Sequence, residues 1–226
     1  MTGDKALLSE VEGPAKQKFK VYPIGYFHID IAEVRTEEGK LHLYVGIDRT
    51  SKFAFTQLHD KADRPTAVAF LEALIEAVPY DLHTILTDNP VLSDCRRQAV
   101  EGGIQFADLP KNRDGWTARM RVHRFDQICR EHGIEHRLTK PNHPWTNGQV
   151  ERMNPTIKDA TVKRYHYESH EQLRQHLQLF IDAYNHGRRL KTLRGLTPYE
   201  YVARIWTDEP ERFKVDPYRY SAGLNT

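Results

Sequence analysis

No run in this chain approaches the roughly 20 consecutive apolar residues that crossing a bilayer requires, and the mean hydropathy is −0.68. The opening segment, MTGDKALLSEVEGPAKQKFK, lacks the apolar core of an export signal, so the expected location is the cytoplasm. Cysteine is scarce. Cys95 and Cys129 are the only two, their spacing suits neither a metal site nor a disulfide framework, and they read as reduced thiols. Internal repeats and low-complexity segments are absent. Net charge is nearly absent as well, at +2 over 226 residues, but it is unevenly spread. Lys111–Arg164 holds 12 Lys and Arg against 6 Asp and Glu, and Asn185–Gly195 carries Arg188, Arg189, Lys191 and Arg194 with no acid. Such clusters suit a polyanion, and they also describe an ordinary solvated face.

What is present fits one domain with extensions, large enough to bury a core without disulfides. In Phe27-His28-Ile29-Asp30-Ile31, apolar and polar residues alternate at the period of a strand, which turns Asp30 to the face opposite Ile29 and Ile31. Leu41, Leu43, Val45 and Ile47 repeat the pattern after a turn expected at Glu38-Gly39-Lys40, and Phe53 and Phe55 begin a third strand of an antiparallel meander. Asp63 and Pro65 then open a helix whose stripe is Ala67, Phe70, Leu71, Leu74, Ile75 and Val78. Leu82–Thr87 reads as a short buried strand ending at Asp88. A helix holding Phe125, Ile128 and Cys129 closes at Gly133, Ile134–Leu138 is another strand, and Asn147 can cap a helix carrying Val150, Glu151 and Ile157. Ser169–Gln172 and Thr197–Glu200 have the form of capping boxes for two last helices. This order predicts an α/β fold, a mixed sheet of about five strands covered by helices.

Three acids stand where such elements present them: Asp30 in mid-strand, Asp88 at a strand end, Glu151 in a helix first turn. Converging carboxylates can hold two hard divalent cations, a device for cutting or joining phosphodiesters. Each acid also has a plainer reading: Asp30 as a solvent-facing strand residue, Asp88 in turn-forming Asp-Asn-Pro, and Glu151 favoured by the helix dipole. Asp48, at the end of the second strand, is read as structural.

Four phrases in order, FHIDIAEV, ILTDN, HGIEHRLTKPNHPWTNGQVERMN and YNHGRRLKTLRGLTPYEY, resemble the integrase catalytic core of bacterial insertion-sequence transposases. The most specific runs through Pro141, Pro144, Thr146, Asn147, Gly148 and Glu151. The resemblance implies a ribonuclease-H-like fold shared with retroviral integrases. It implies a core over 21–206, with a tail or linker at 1–20 and a C-terminal tail at 207–226. It also implies that Asp30, Asp88 and Glu151 bind two Mg²⁺ or Mn²⁺ ions. The implied chemistry is cleavage at an element end, followed by attack of the freed 3′-hydroxyl on target DNA. Lys158, two helical turns beyond Glu151 and on its face, would meet a phosphate near the scissile bond. Lys140, His143, Asn147, Arg152, Arg188 and Arg189 are the other candidate DNA contacts. The implied partners are DNA, further copies of the chain and, because residues 1–20 are too few for a DNA-reading domain, a separate helix-turn-helix protein at the nucleoid.

The sequence also departs from that family. Pro90–Gly102 stands between Asp88-Asn89 and the Gly103-Ile104-Gln105-Phe106 that would ordinarily follow closely, leaving 62 residues between Asp88 and Glu151. Pro155 lies inside the helix of Glu151. It removes the amide that would bond the carbonyl of residue 151, at a cost of about 3 kcal/mol, and a kink is expected there. These departures keep open an impaired remnant that only binds DNA, and a ribonuclease-H-like nuclease without strand transfer is a third reading.

Overall fold

The computed structural model describes residues 22–87, 124–139 and 148–219. Five strands, β1 (Tyr26–Thr36), β2 (Gly39–Asp48), β3 (Ala54–His59), β4 (Thr84–Thr87) and β5 (Glu135–Leu138), form one sheet in the order β3-β2-β1-β4-β5. β1, β2 and β3 are an antiparallel meander, whereas β4 joins β1 and β5 joins β4 in parallel. Thr36 pairs with Gly39, so the first hairpin turns on Glu37-Glu38, one residue earlier than expected. Gly39 takes φ +131, which only glycine adopts freely, and that freedom lets β2 begin directly after the turn.

Helices α1 (Arg64–Ala77), α2 (Arg124–Glu131), α3 (Gly148–Ala160), α4 (His170–His186) and α5 (Pro198–Asp208) cover both faces. Alternation along the strands divides the core in two. Phe27, Ile29 and Tyr44 point to one side and pack with Phe70, Leu71 and Leu74 of α1, Phe125 and Ile128 of α2 and Val202 of α5. Leu41, Leu43 and Val45 point to the other side, against Val150, Met153 and Ile157 of α3 and Leu177 and Ile181 of α4. Burying a side chain of this size contributes about 1.5–3 kcal/mol, so these two layers dominate stability.

The helix ends follow their local chemistry. The Asp63 carboxylate accepts from Thr66 N at 3.0 Å, with Pro65 in the first turn of α1. Thr197 and Glu200 form a complete capping box at α5. At α4, Ser169 accepts from Gln172 N, but the Gln172 amide oxygen takes Glu168 N, so that box is only half made. After α5 the chain returns to the core: Phe213 bridges to Tyr80, and Lys214 N donates to Pro79 O.

Pro155 does not end the helix: α3 continues through it to Ala160. Val150, Met153 and Ile157 are almost fully buried against β1 and β2, and this packing outweighs a local cost of about 3 kcal/mol. Pro155 and Glu151 are both exposed, on the side where water can reach the carbonyl that has lost its amide.

Candidate active site

Asp30 lies at the centre of β1, paired with Val45 across β2 and facing the α3 layer. Its Oδ1 accepts from Ile31 N at 2.8 Å, and its Oδ2 accepts from the side-chain amide of Asn154. Asn154 is 8% exposed and sits one turn beyond Glu151, so this bond ties the turn carrying Glu151 to the strand carrying Asp30. Asn154 escaped sequence reasoning. The available signal was a poor helix former held in mid-helix, three residues after a candidate acid. Replacing Asn154 with alanine is expected to cost about 1.5–3 kcal/mol, the range for a hydrogen bond to a charged group. A thermal melt reads this directly, and an unchanged melting temperature would contradict the tether.

β4 arrives beside β1 in parallel, with Thr87 opposite Ile29. Thr87 is fully buried. Its hydroxyl bonds His136 Nε2 at 3.0 Å, His136 Nδ1 meets Asp126 at 2.6 Å, and its carbonyl accepts from Thr139 N at 3.0 Å. The last described residue before Asp88 is therefore fixed from three elements. Asp88 itself lies outside the described residues, as do the insertion at 90–102 and Lys140, His143 and Asn147.

The remaining candidates fall into three groups. Lys158 is partly buried on the flank of α3 that carries Glu151. Arg152 is exposed on another flank, close to Arg188 beyond α4. Arg189 is engaged within the fold, meeting Glu200 at 3.4 Å and donating to Gly195 O at 2.9 Å. Asp48 is structural, as read: fully buried, it accepts from Gly25 N, Thr50 N and Ser51 N, each at 2.7 Å. Burial pushes its carboxyl above the usual range, and the three N–H donors pull it back. Burial also lifts the Cys129 thiol to about 12, which leaves it an inert core residue.

Among the described residues no three His, Cys, Asp or Glu side chains gather into a metal site. The donors that are present suit a hard cation: the Asp30 carboxylate, the exposed Glu151 carboxylate, and Asn154 Oδ1, which is buried with no hydrogen-bond partner among the described residues.

A mixed five-strand sheet with its first strand central, helices on both faces and acids on β1 and α3 is the architecture of an integrase catalytic core. The core of BIV integrase superposes with a TM-score of 0.55 at 18% identity, covering 81% of this chain and 97% of that one. The catalytic core of HTLV-2 integrase, solved with magnesium, gives a TM-score of 0.52 at 16% identity, covering 79% of this chain and 96% of that one. Residues 21–144 and 132–198 match two models of the integrase core domain. The chain belongs to the integrase core domain family. It is 32% identical over 87 residues to the protein named "Putative transposase InsK for insertion sequence element IS150" of Escherichia coli (strain K12), a match covering 38% of this chain and 30% of that relative. No helix among the described residues is long and apolar enough to cross a membrane.

Proposed function

We propose that this chain is the catalytic core of a transposase or integrase, cleaving DNA and transferring strands with Asp30, Asp88 and Glu151 around two Mg²⁺ or Mn²⁺ ions. The observation that carries the reading is the bond from Asn154 to Asp30, which docks the Glu151 turn of α3 onto the central strand. The register Ile29↔Thr87 supports the third ligand, since Thr87 immediately precedes Asp88 and lies beside the strand of Asp30. Bound divalent cations would lower the pKa of the attacking water or hydroxyl and stabilise charge on the leaving oxygen. The residues of the chain orient this chemistry. Asn154 fixes one Asp30 oxygen and leaves the other directed by Ile31 N, and Lys158 offers a cation to a phosphate along the Glu151 flank. Arg152, Arg188, Lys140, His143 and Asn147 are further DNA contacts on this reading. Arg189 is a further DNA contact on this reading, its exposed pair with Glu200 being weak enough to give way to a phosphate.

The continuation of α3 past Pro155 favours a working site over an impaired remnant, since the element that presents Glu151 is still formed. On this reading the protein works in the cytoplasm at the nucleoid, as a multimer on DNA. Incubating supercoiled plasmid with Mn²⁺ is expected to give nicked circles, and excess EDTA should return the reaction to background. Nicking that persists in EDTA, or no nicking in Mn²⁺ or Mg²⁺, would overturn the reading.

A further inference from the structure

Helix α3 has a third flank, used neither by the core nor by Glu151. Gln149, Arg152 and Thr156 recur there at i, i+3 and i+7, about a third of a turn from Glu151. They line a cavity of about 260 Å³, completed by Lys52 from the β2–β3 turn and Arg188 beyond α4, with Met153 and Tyr184 among the apolar walls. Three basic residues line this cavity and none of its lining side chains is acidic. Among the described residues neither Arg152 nor Arg188 has a carboxylate partner, whereas Arg35, Arg137 and Arg189 each meet one.

Lys52 strengthens the case. It holds φ +63, a left-handed conformation that costs a residue with a Cβ about 1–2 kcal/mol. Its ammonium reaches back to Arg49 O, and burial lowers its pKa from the usual lysine range. The turn is pinned there by Asp48, which accepts from Thr50 N and Ser51 N. A partly buried lysine that lines the same pocket as two arginines gives that pocket a positive lining that a bound anion would offset.

We propose that Lys52, Arg152 and Arg188 form a phosphodiester-binding pocket that grips the DNA backbone on the flank of α3 turned away from Glu151. This inference rests on the reading of the chain as a DNA-processing core, and adds a second grip separate from the metal-binding face. The apolar wall suits a deoxyribose, which lacks a 2′-hydroxyl to satisfy. DNA held here and at Lys158 would clasp α3 from two sides, fixing the position of Glu151 against the strand being cut.

Anisotropy of a labelled short duplex, in EDTA and over a series of salt concentrations, tests the pocket without any catalysis. The double variant Lys52→Ala/Arg188→Ala is expected to lose about tenfold or more in affinity, and its plot of log affinity against log salt should be shallower by about two units. The single variant Arg152→Ala, at an exposed position, should lose about one unit of slope, and it serves if the double variant melts early. Unchanged affinity and slope in variants that melt like the wild type would overturn the proposal. So would competition by inorganic phosphate as effective, per phosphate, as competition by duplex. Plasmid nicking in Mn²⁺ is scored in parallel. Wild-type nicking with unchanged binding in the variants sinks the pocket alone, whereas weakened binding without wild-type nicking sinks the catalytic reading and leaves the pocket standing.

Discussion

Replacing Asp30 with asparagine is expected to reduce Mn²⁺-dependent plasmid nicking by about a hundred-fold or more, since even outer-shell partners of a metal site cost up to that much. The substitution is nearly isosteric, so its effect isolates charge. The amide oxygen of an asparagine can still accept from Ile31 N or from Asn154, and the β1 ladder does not involve the side chain. Stability should therefore stay close to that of the wild type. What disappears is half the negative charge that the two described candidate ligands, Asp30 and Glu151, would offer a cation. A variant that nicks like the wild type would remove Asp30 from the chemistry, and one that unfolds would assign it to structure instead.

Asp48→Ala should have the largest effect on stability. The fully buried Asp48 carboxylate holds three backbone N–H groups, those of Gly25 and Ser51 in buried bonds and that of Thr50 in a partly buried one. Each buried donor left without a partner costs about 1–3 kcal/mol, so the expected loss is about 4 kcal/mol or more. In a chain of this size that corresponds to a fall of about 8–16 °C in melting temperature. Asp48→Asn separates the contributions. Asn can keep one oxygen for Thr50 N and Ser51 N, both of which bond Oδ1, and it loses the bond from Gly25 N to Oδ2. Its loss should be about 1–3 kcal/mol, and equal losses in the two variants would refute this division.

The sequence revealed features whose cause is local. Strand alternation in FHIDI named both β1 and the face of Asp30, and Asp63 and Thr197 announced their helices because a cap bonds an amide only three residues away. Features decided at a distance were hidden. Asn154 meets Asp30 across 124 residues, and Asn185 meets Ala54 across 131, so no window of sequence contains either pair. The tolerance of Pro155 was hidden for the same reason, since the compensating contacts lie on β1 and β2. The pairing of Arg189 with Glu200 was shorter in range, but nothing in a basic run marks which arginine will meet a carboxylate. Asp88, Lys140, His143 and Asn147 lie outside the described residues, so their placement rests on the sequence.

The Asn185 side chain has a wider consequence. β3 is an outer strand of the sheet, and the Asn185 amide accepts from Ala54 N at 2.9 Å and donates to Ala54 O at 2.8 Å, copying the bonds of a neighbouring strand. An outer strand with free N–H and C=O groups is a template on which another polypeptide can grow. Here the first rung of that template is already filled from within the molecule. Copies of the chain cannot extend the sheet through that rung, so at this end of β3 the fold closes its own edge.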